Sequence, residues 1–81
     1  MSAEAFQDSF FGVMASMLKV PREQLARDTS RSGTEAWDSL RHMHLMLALE
    51  EEFGIEFSDG ELADLATAGE LLDAIAAKRA A

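Results

Sequence analysis

Apolar residues recur at helical spacing along nearly the whole chain. In the first segment Phe6, Phe10, Val13, Met14 and Met17 fall three and four apart and form one stripe, the mark of an amphipathic helix. Ser2 is placed to cap its start. Pro21 is placed to end it, because proline lacks the N–H a helix needs and disfavours helical backbone at Val20. From Lys19 to Trp37 the period is lost and Thr29, Ser30, Ser32, Gly33 and Thr34 cluster, which predicts a long loop with Leu25 as its anchor in the core. Such a loop in a small domain is often functional. The period returns at Asp38 or Ser39 and runs to about Phe53, where Gly54 stops it. Ile55 and Phe57 then face inward from a short linker. Ser58-Asp59-Gly60-Glu61 and Thr67-Ala68-Gly69-Glu70 each place a glutamate three residues after a hydroxyl, the capping-box spacing. They predict a short helix over about 59–66, with Leu62 and Leu65 inward, and a last helix over about 68–79, with Leu71, Leu72 and Ile75 inward. Lys78 and Arg79 suit the negative end of that last helix. No strand pattern competes. The expected fold is all-α: a small four-helix bundle with a long first loop and a short third helix, in a single domain spanning residues 1–81.

The second helix carries more apolar residues than one stripe needs. Leu45, Met46, Leu49 and Phe53 make one face, and Leu40, Met43 and Leu47 make another. One face packs a surface helix. The second either completes the core or meets a partner or ligand. Methionine suits a surface that accepts differing shapes, and it also fills cores.

Charge narrows the classes of partner. The 81 residues carry a formal charge of −8, and from His42 to Ala77 there is no lysine or arginine against nine acids. Such a surface repels nucleic acid and anionic membranes and attracts a basic patch; it also serves solubility. The chain has no cysteine, so it offers no disulfide, thiol nucleophile or cysteine zinc site of its own. No apolar run approaches the roughly 20 residues of a membrane span, and the acidic start lacks a signal-peptide pattern. A soluble cytoplasmic monomer is expected, without nucleic-acid or membrane partners. Its small core argues against a self-contained enzyme with a deep pocket.

Candidate chemistry gathers where the long loop meets the second helix. Asp38 is placed as N-cap and Ser39 in the first turn, where backbone N–H groups lack intrahelical partners and a phosphate ester would be stabilised. For an isolated Asp-Ser-Leu, a cap alone is by far the better explanation. His42 and His44, two apart, point in different directions and read as surface or rim histidines, not as a zinc pair. Ser39, His42 and Asp38 lack the elbow and the separate converging elements of a hydrolase triad. Asp59-Gly60-Glu61 lacks the spacing of a calcium loop. Trp37, the sole tryptophan, either leans on the bundle beside Ser39 or faces a ligand or partner.

Asp38-Ser39-Leu40, followed by Leu45-Met46-Leu47-Ala48-Leu49-Glu50-Glu51-Glu52-Phe53-Gly54-Ile55, strongly resembles the acyl carrier protein family. Helix order, the long first loop and the short third helix extend the resemblance over nearly the whole chain. The resemblance implies a 4′-phosphopantetheine arm, attached to Ser39 from coenzyme A by a phosphopantetheinyl transferase, with Asp38 and Leu40 flanking the attachment. Ser39 would be a substrate hydroxyl and the protein not an enzyme. The arm's thiol would hold acyl groups as thioesters, and tethering would raise their effective concentration at each partner enzyme. Leu40, Met43 and Leu47 would face acyl-loading and acyl-processing enzymes, with Glu50 and Glu51 meeting basic residues on them. The chain departs from the family where Glu35-Ala36-Trp37 replaces a Leu-Gly pair, and where Arg41 and His44 stand at positions often acidic. These departures point to a carrier of a dedicated pathway, such as polyketide or other secondary metabolism. An aminoacyl or peptidyl carrier of the same fold and an unmodified helical adaptor are the alternatives.

Overall fold

The computed structural model describes residues 3–80 and contains four α-helices: α1 (Ala3–Leu18), α2 (Ser39–Phe53), α3 (Asp59–Asp64) and α4 (Ala68–Ala80). The expected cap Ser2 lies outside the described residues. The all-α bundle with a long first loop and a short third helix is therefore the observed architecture.

α1 buries Phe10, Phe11, Met14 and Leu18. Phe6, Val13 and Met17, the rest of the expected stripe, are only half-buried at the edge of the core. The buried line is thus turned toward Phe11 and Leu18, and the Arg22 guanidinium covers Phe11 at 4.6 Å from the ring centroid. α1 ends before Pro21 is reached. Lys19 takes a left-handed φ of 58°, and the Val20 N–H turns back to the Ala15 carbonyl at 3.2 Å. α2 closes in the same manner at Gly54, φ 64°, with the Ile55 N–H on the Glu50 carbonyl at 3.1 Å. Glycine adopts this conformation without a Cβ clash, and lysine does not.

The core is built chiefly from Phe10, Met14 and Leu18 of α1, Leu45, Met46 and Leu49 of α2, and Leu71, Leu72 and Ile75 of α4. Phe53 packs on its edge, meeting Phe6 edge-on at 5.3 Å under the Arg79 guanidinium. Leu25 is buried after a single 3-10 turn at Arg22–Gln24 and anchors the long loop as expected.

That loop is fastened to the corner between α3 and α4. Ser30 and Thr67 form an isolated antiparallel bridge. The Arg31 N–H donates to the Ala66 carbonyl at 2.9 Å, Ala68 N–H to Thr29 at 2.9 Å, and Gly69 N–H to Arg27 at 2.8 Å. Gly69 is needed for this close approach, since a Cβ there would stand 3.1 Å from the Arg27 carbonyl oxygen. Arg27 adds a forked ion pair to Asp73 with both distances 3.0 Å.

α3 opens on a complete capping box between Ser58 and Glu61. It stops at Asp64, two residues short of the expected end, because Leu65 turns to extended backbone, ψ 120°, on the way into the bridge. α4 opens on half of a box. The Glu70 N–H donates to Thr67 Oγ1 at 3.1 Å, but the Glu70 carboxylate takes the Ala66 N–H at 3.1 Å, one residue earlier than the full motif requires. Lys78 near the end of α4 pairs with Glu61 of α3 at 2.7 Å. That bond is the leading reason the Glu61 carboxyl holds its proton less tightly than an ordinary glutamate.

Candidate functional site at the start of α2

Asp38 sets the geometry. Its backbone is extended, φ −87° and ψ −178°, and its Oδ1 accepts the Arg41 N–H at 2.9 Å. Its carbonyl accepts the His42 N–H at 2.8 Å and so begins the helix. Ser39 is the first helical residue and is exposed. Among the described residues nothing bonds to its hydroxyl. It opens into a cleft of about 440 Å³ lined by Arg31, Ser32, Trp37, Asp38, Ser39 and Ala66. A somewhat larger groove of about 500 Å³ runs between α1 and α2, past Ser9, Gly12, Met17 and Ala48. It contains no residue of the Asp38-Ser39 pair, so size does not single out the site; the chemistry at Ser39 does.

Behind Ser39 the structure corrects the reading of one histidine. His42 is only 2% exposed, whereas His44 is exposed. Trp37, also buried, donates its Nε1–H to His42 Nδ1 at 3.0 Å. Nδ1 must therefore be bare, so the proton sits on Nε2, which donates to the Leu62 carbonyl at 2.9 Å. The imidazole satisfies a buried indole on one side and α3 on the other. Burial lowers its proton affinity below the ordinary imidazole value, the Leu62 bond opposes this, and the charge of Arg31 adds to the lowering. Trp37 leans on the bundle and also forms part of the cleft wall. Nothing in the helical period marks this pair: the two residues straddle a helix start, and Leu62 enters through its backbone.

The second apolar face of α2 does not complete the core. Leu40, Met43 and Leu47 are 66%, 43% and 57% exposed. Leu45, Met46 and Leu49 are fully buried. The two glutamates beside the exposed face differ. Glu51 is exposed, while Glu50 is half-buried and its Oε2 accepts the Phe57 N–H at 2.8 Å, holding the linker after α2. At the head of the helix, Arg41 turns back to the Ala36 carbonyl at 3.3 Å.

The family of the phosphopantetheine attachment site matches residues 8–75. An acyl carrier protein of Thermosynechococcus vestitus is 39% identical over 69 residues, covering 85% of each chain. The chain belongs to the acyl carrier protein family. Membership implies a covalently attached 4′-phosphopantetheine group, and the residues present fit one. An exposed serine hydroxyl without a bonding partner among the described residues opens into a cleft wide enough for the root of such an arm, beside an arginine. Carriers of this family work with a phosphopantetheinyl transferase and acyl-processing enzymes. Among the described residues, no helix is long and apolar enough to cross a membrane.

Proposed function

We propose that this chain is an acyl carrier bearing its 4′-phosphopantetheine arm on Ser39 and presenting acyl thioesters to partner enzymes, as a cytoplasmic monomer. The observation that carries this reading is the exposed hydroxyl of Ser39, unpartnered among the described residues, in the cleft at the head of α2. The arm supplies the thiol that the chain itself lacks. Asp38 fixes the first turn so that Ser39 projects from an ordered helix end. Ser39 offers its oxygen to the transferase and performs no catalysis. Leu40, Met43 and Leu47 form the docking face, and Glu51 faces basic residues of the partner; Glu50 shares that edge while bonded to the linker. The test is intact mass before and after incubation with coenzyme A and a broad-specificity phosphopantetheinyl transferase. Wild type should gain one phosphopantetheine group and Ser39→Ala none. A well-folded wild type that gains nothing would remove the carrier reading and favour the adaptor.

The pathway is proposed to be a dedicated one, polyketide or other secondary metabolism, because the head of α2 presents Arg41 and His44 where general fatty-acid carriers often present acids. Arg41→Glu with His44→Glu should speed turnover of the acylated protein by general fatty-acid enzymes. Equal rates for variant and wild type would leave no support for the refinement.

A further inference from the structure

We infer that Arg31 holds the root of the arm: its guanidinium pairs with the phosphodiester that joins phosphopantetheine to Ser39. This rests on the reading of Ser39 given above. The other cations are engaged elsewhere or lie away from the cleft. Arg22 pairs with Asp8, Arg27 with Asp73 and Lys78 with Glu61. Arg79 lies over the rings of Phe6 and Phe53. Arg41 is turned to the Ala36 carbonyl, Lys19 is exposed just after α1, and neither lines the cleft. Arg31 lines the same cleft as Ser39, and among the described residues its guanidinium has no hydrogen bond or ion pair, in a chain of net charge −8.

In a protein this acidic, the guanidinium takes no carboxylate partner among the described residues. Its backbone, in contrast, is fixed. The Arg31 N–H is bonded to the carbonyl of Ala66, which also lines the cleft, and the bridge between Ser30 and Thr67 adjoins it. The side chain therefore starts from a defined point on the wall. Its charge is felt by His42 behind Ser39. A phosphodiester carries one negative charge and two unesterified oxygens, which the guanidinium fork matches in shape as well as sign. The remainder of the arm is uncharged and gains nothing from Arg31. The root is thereby held against the loop while the thiol end stays free to reach partners.

The test uses the loaded protein. Wild type, Arg31→Gln, Arg31→Lys and the control Arg22→Gln are loaded with excess transferase, checked by intact mass, and compared by the ³¹P resonance of the phosphodiester. Arg31→Gln should move the resonance toward that of a short unstructured peptide carrying the same arm. Arg31→Lys should move it less, because charge is kept and the fork lost. Arg22→Gln should leave it in place. Added salt should shift the wild-type resonance and leave that of Arg31→Gln nearly still. Identical resonances for wild type and Arg31→Gln would overturn the inference, as would an equal shift in Arg22→Gln. Saturable binding of inorganic phosphate to unloaded protein, lost in Arg31→Gln, with no change in the loaded resonance would assign Arg31 to free anions and also overturn it. Absence of the mass gain in folded wild type is a separate result, which would defeat the carrier reading and this inference together.

Discussion

α2 carries leucines on two sides and treats them oppositely. Leu45 and Leu49 are fully buried among α1 and α4, while Leu40 and Leu47, on the same helix, keep more than half of their surface in water at 66% and 57%. Residue type does not decide which is which. The neighbours do: three helices and the anchored loop are satisfied by one face, and none of the described residues buries the other. An uncovered apolar face beside Ser39 is a cost to the isolated protein that a docking partner would recover.

The largest effect that separates the faces should come from truncation. Leu49→Ala is expected to cost about 2–5 kcal/mol, since the removed atoms leave a cavity in a closed core. Leu47→Ala should change stability by no more than about 0.5 kcal/mol and should instead slow acyl transfer by a partner enzyme. Urea unfolding of both variants checks the first half, and transfer kinetics the second. Equal destabilisation would mean that the faces are not distinct.

The adjoining glutamates sharpen the contrast. Glu50→Lys strips the Phe57 N–H of its acceptor and should cost about 1–3 kcal/mol. Glu51→Lys should leave the melting curve nearly in place and weaken association with a basic partner, most clearly at low salt. Binding and melting measured on the same samples separate the two. If Glu50→Lys melts as wild type does, the linker bond carries little.

His42 is a polar residue on the buried side of α2, and protons report on it. Its folded state binds a proton less readily than the ordinary imidazole value of 6.5, because of burial first, with the charge of Arg31 adding to it. The unfolded chain then binds more protons than the native one, so stability is full above that value and falls as pH drops through it. Protonation would also put a second N–H against the Trp37 donor. Chemical denaturation across mildly acidic pH should show this slope in wild type and lose it in His42→Ala, which also leaves the buried indole N–H without its acceptor. An unchanged slope in His42→Ala would place the proton uptake elsewhere.

The smallest effect concerns the two helix ends. Lys19 and Gly54 occupy the same left-handed conformation, φ 58° and 64°. Lys19→Gly should therefore be neutral or stabilising by up to about 1 kcal/mol, and Gly54→Ala destabilising by a similar amount. A loss of stability in Lys19→Gly would show that the lysine side chain does more than tolerate its backbone.

Much of this was legible beforehand because the signals are local. Asp38 and Gly54 bracket α2, and the Ser58–Glu61 box opens α3, since caps act within one turn. The two apolar faces of α2 were likewise visible as spacing. Burial of His42 was not, for it depends on an indole from the loop and a carbonyl from α3 that only the tertiary fold brings together. The inward bond of Glu50 to Phe57 and the slip of Glu70 to Ala66 escaped for a related reason. A carboxylate chooses among nearby N–H groups by distance, and sequence order does not rank them. Arg31 carried no sequence signal at all; its interest comes from sharing a cleft with Ser39.

The fastening of the long loop to the corner before α4 also has a kinetic meaning. Arg27 and Gly69, and Thr29 and Ala68, lie far apart along the chain, so their bonds can form only after most of the polypeptide has been brought together. A helical pair such as α1 and α2 needs no such wait. The fastening should then be late to assemble and early to open, ahead of global unfolding. The amides of Ala68 and Gly69 would report each opening through hydrogen exchange. Each event would part Arg31 from Ala66 and loosen the wall beside Ser39 while the packed leucines of α2 stay closed.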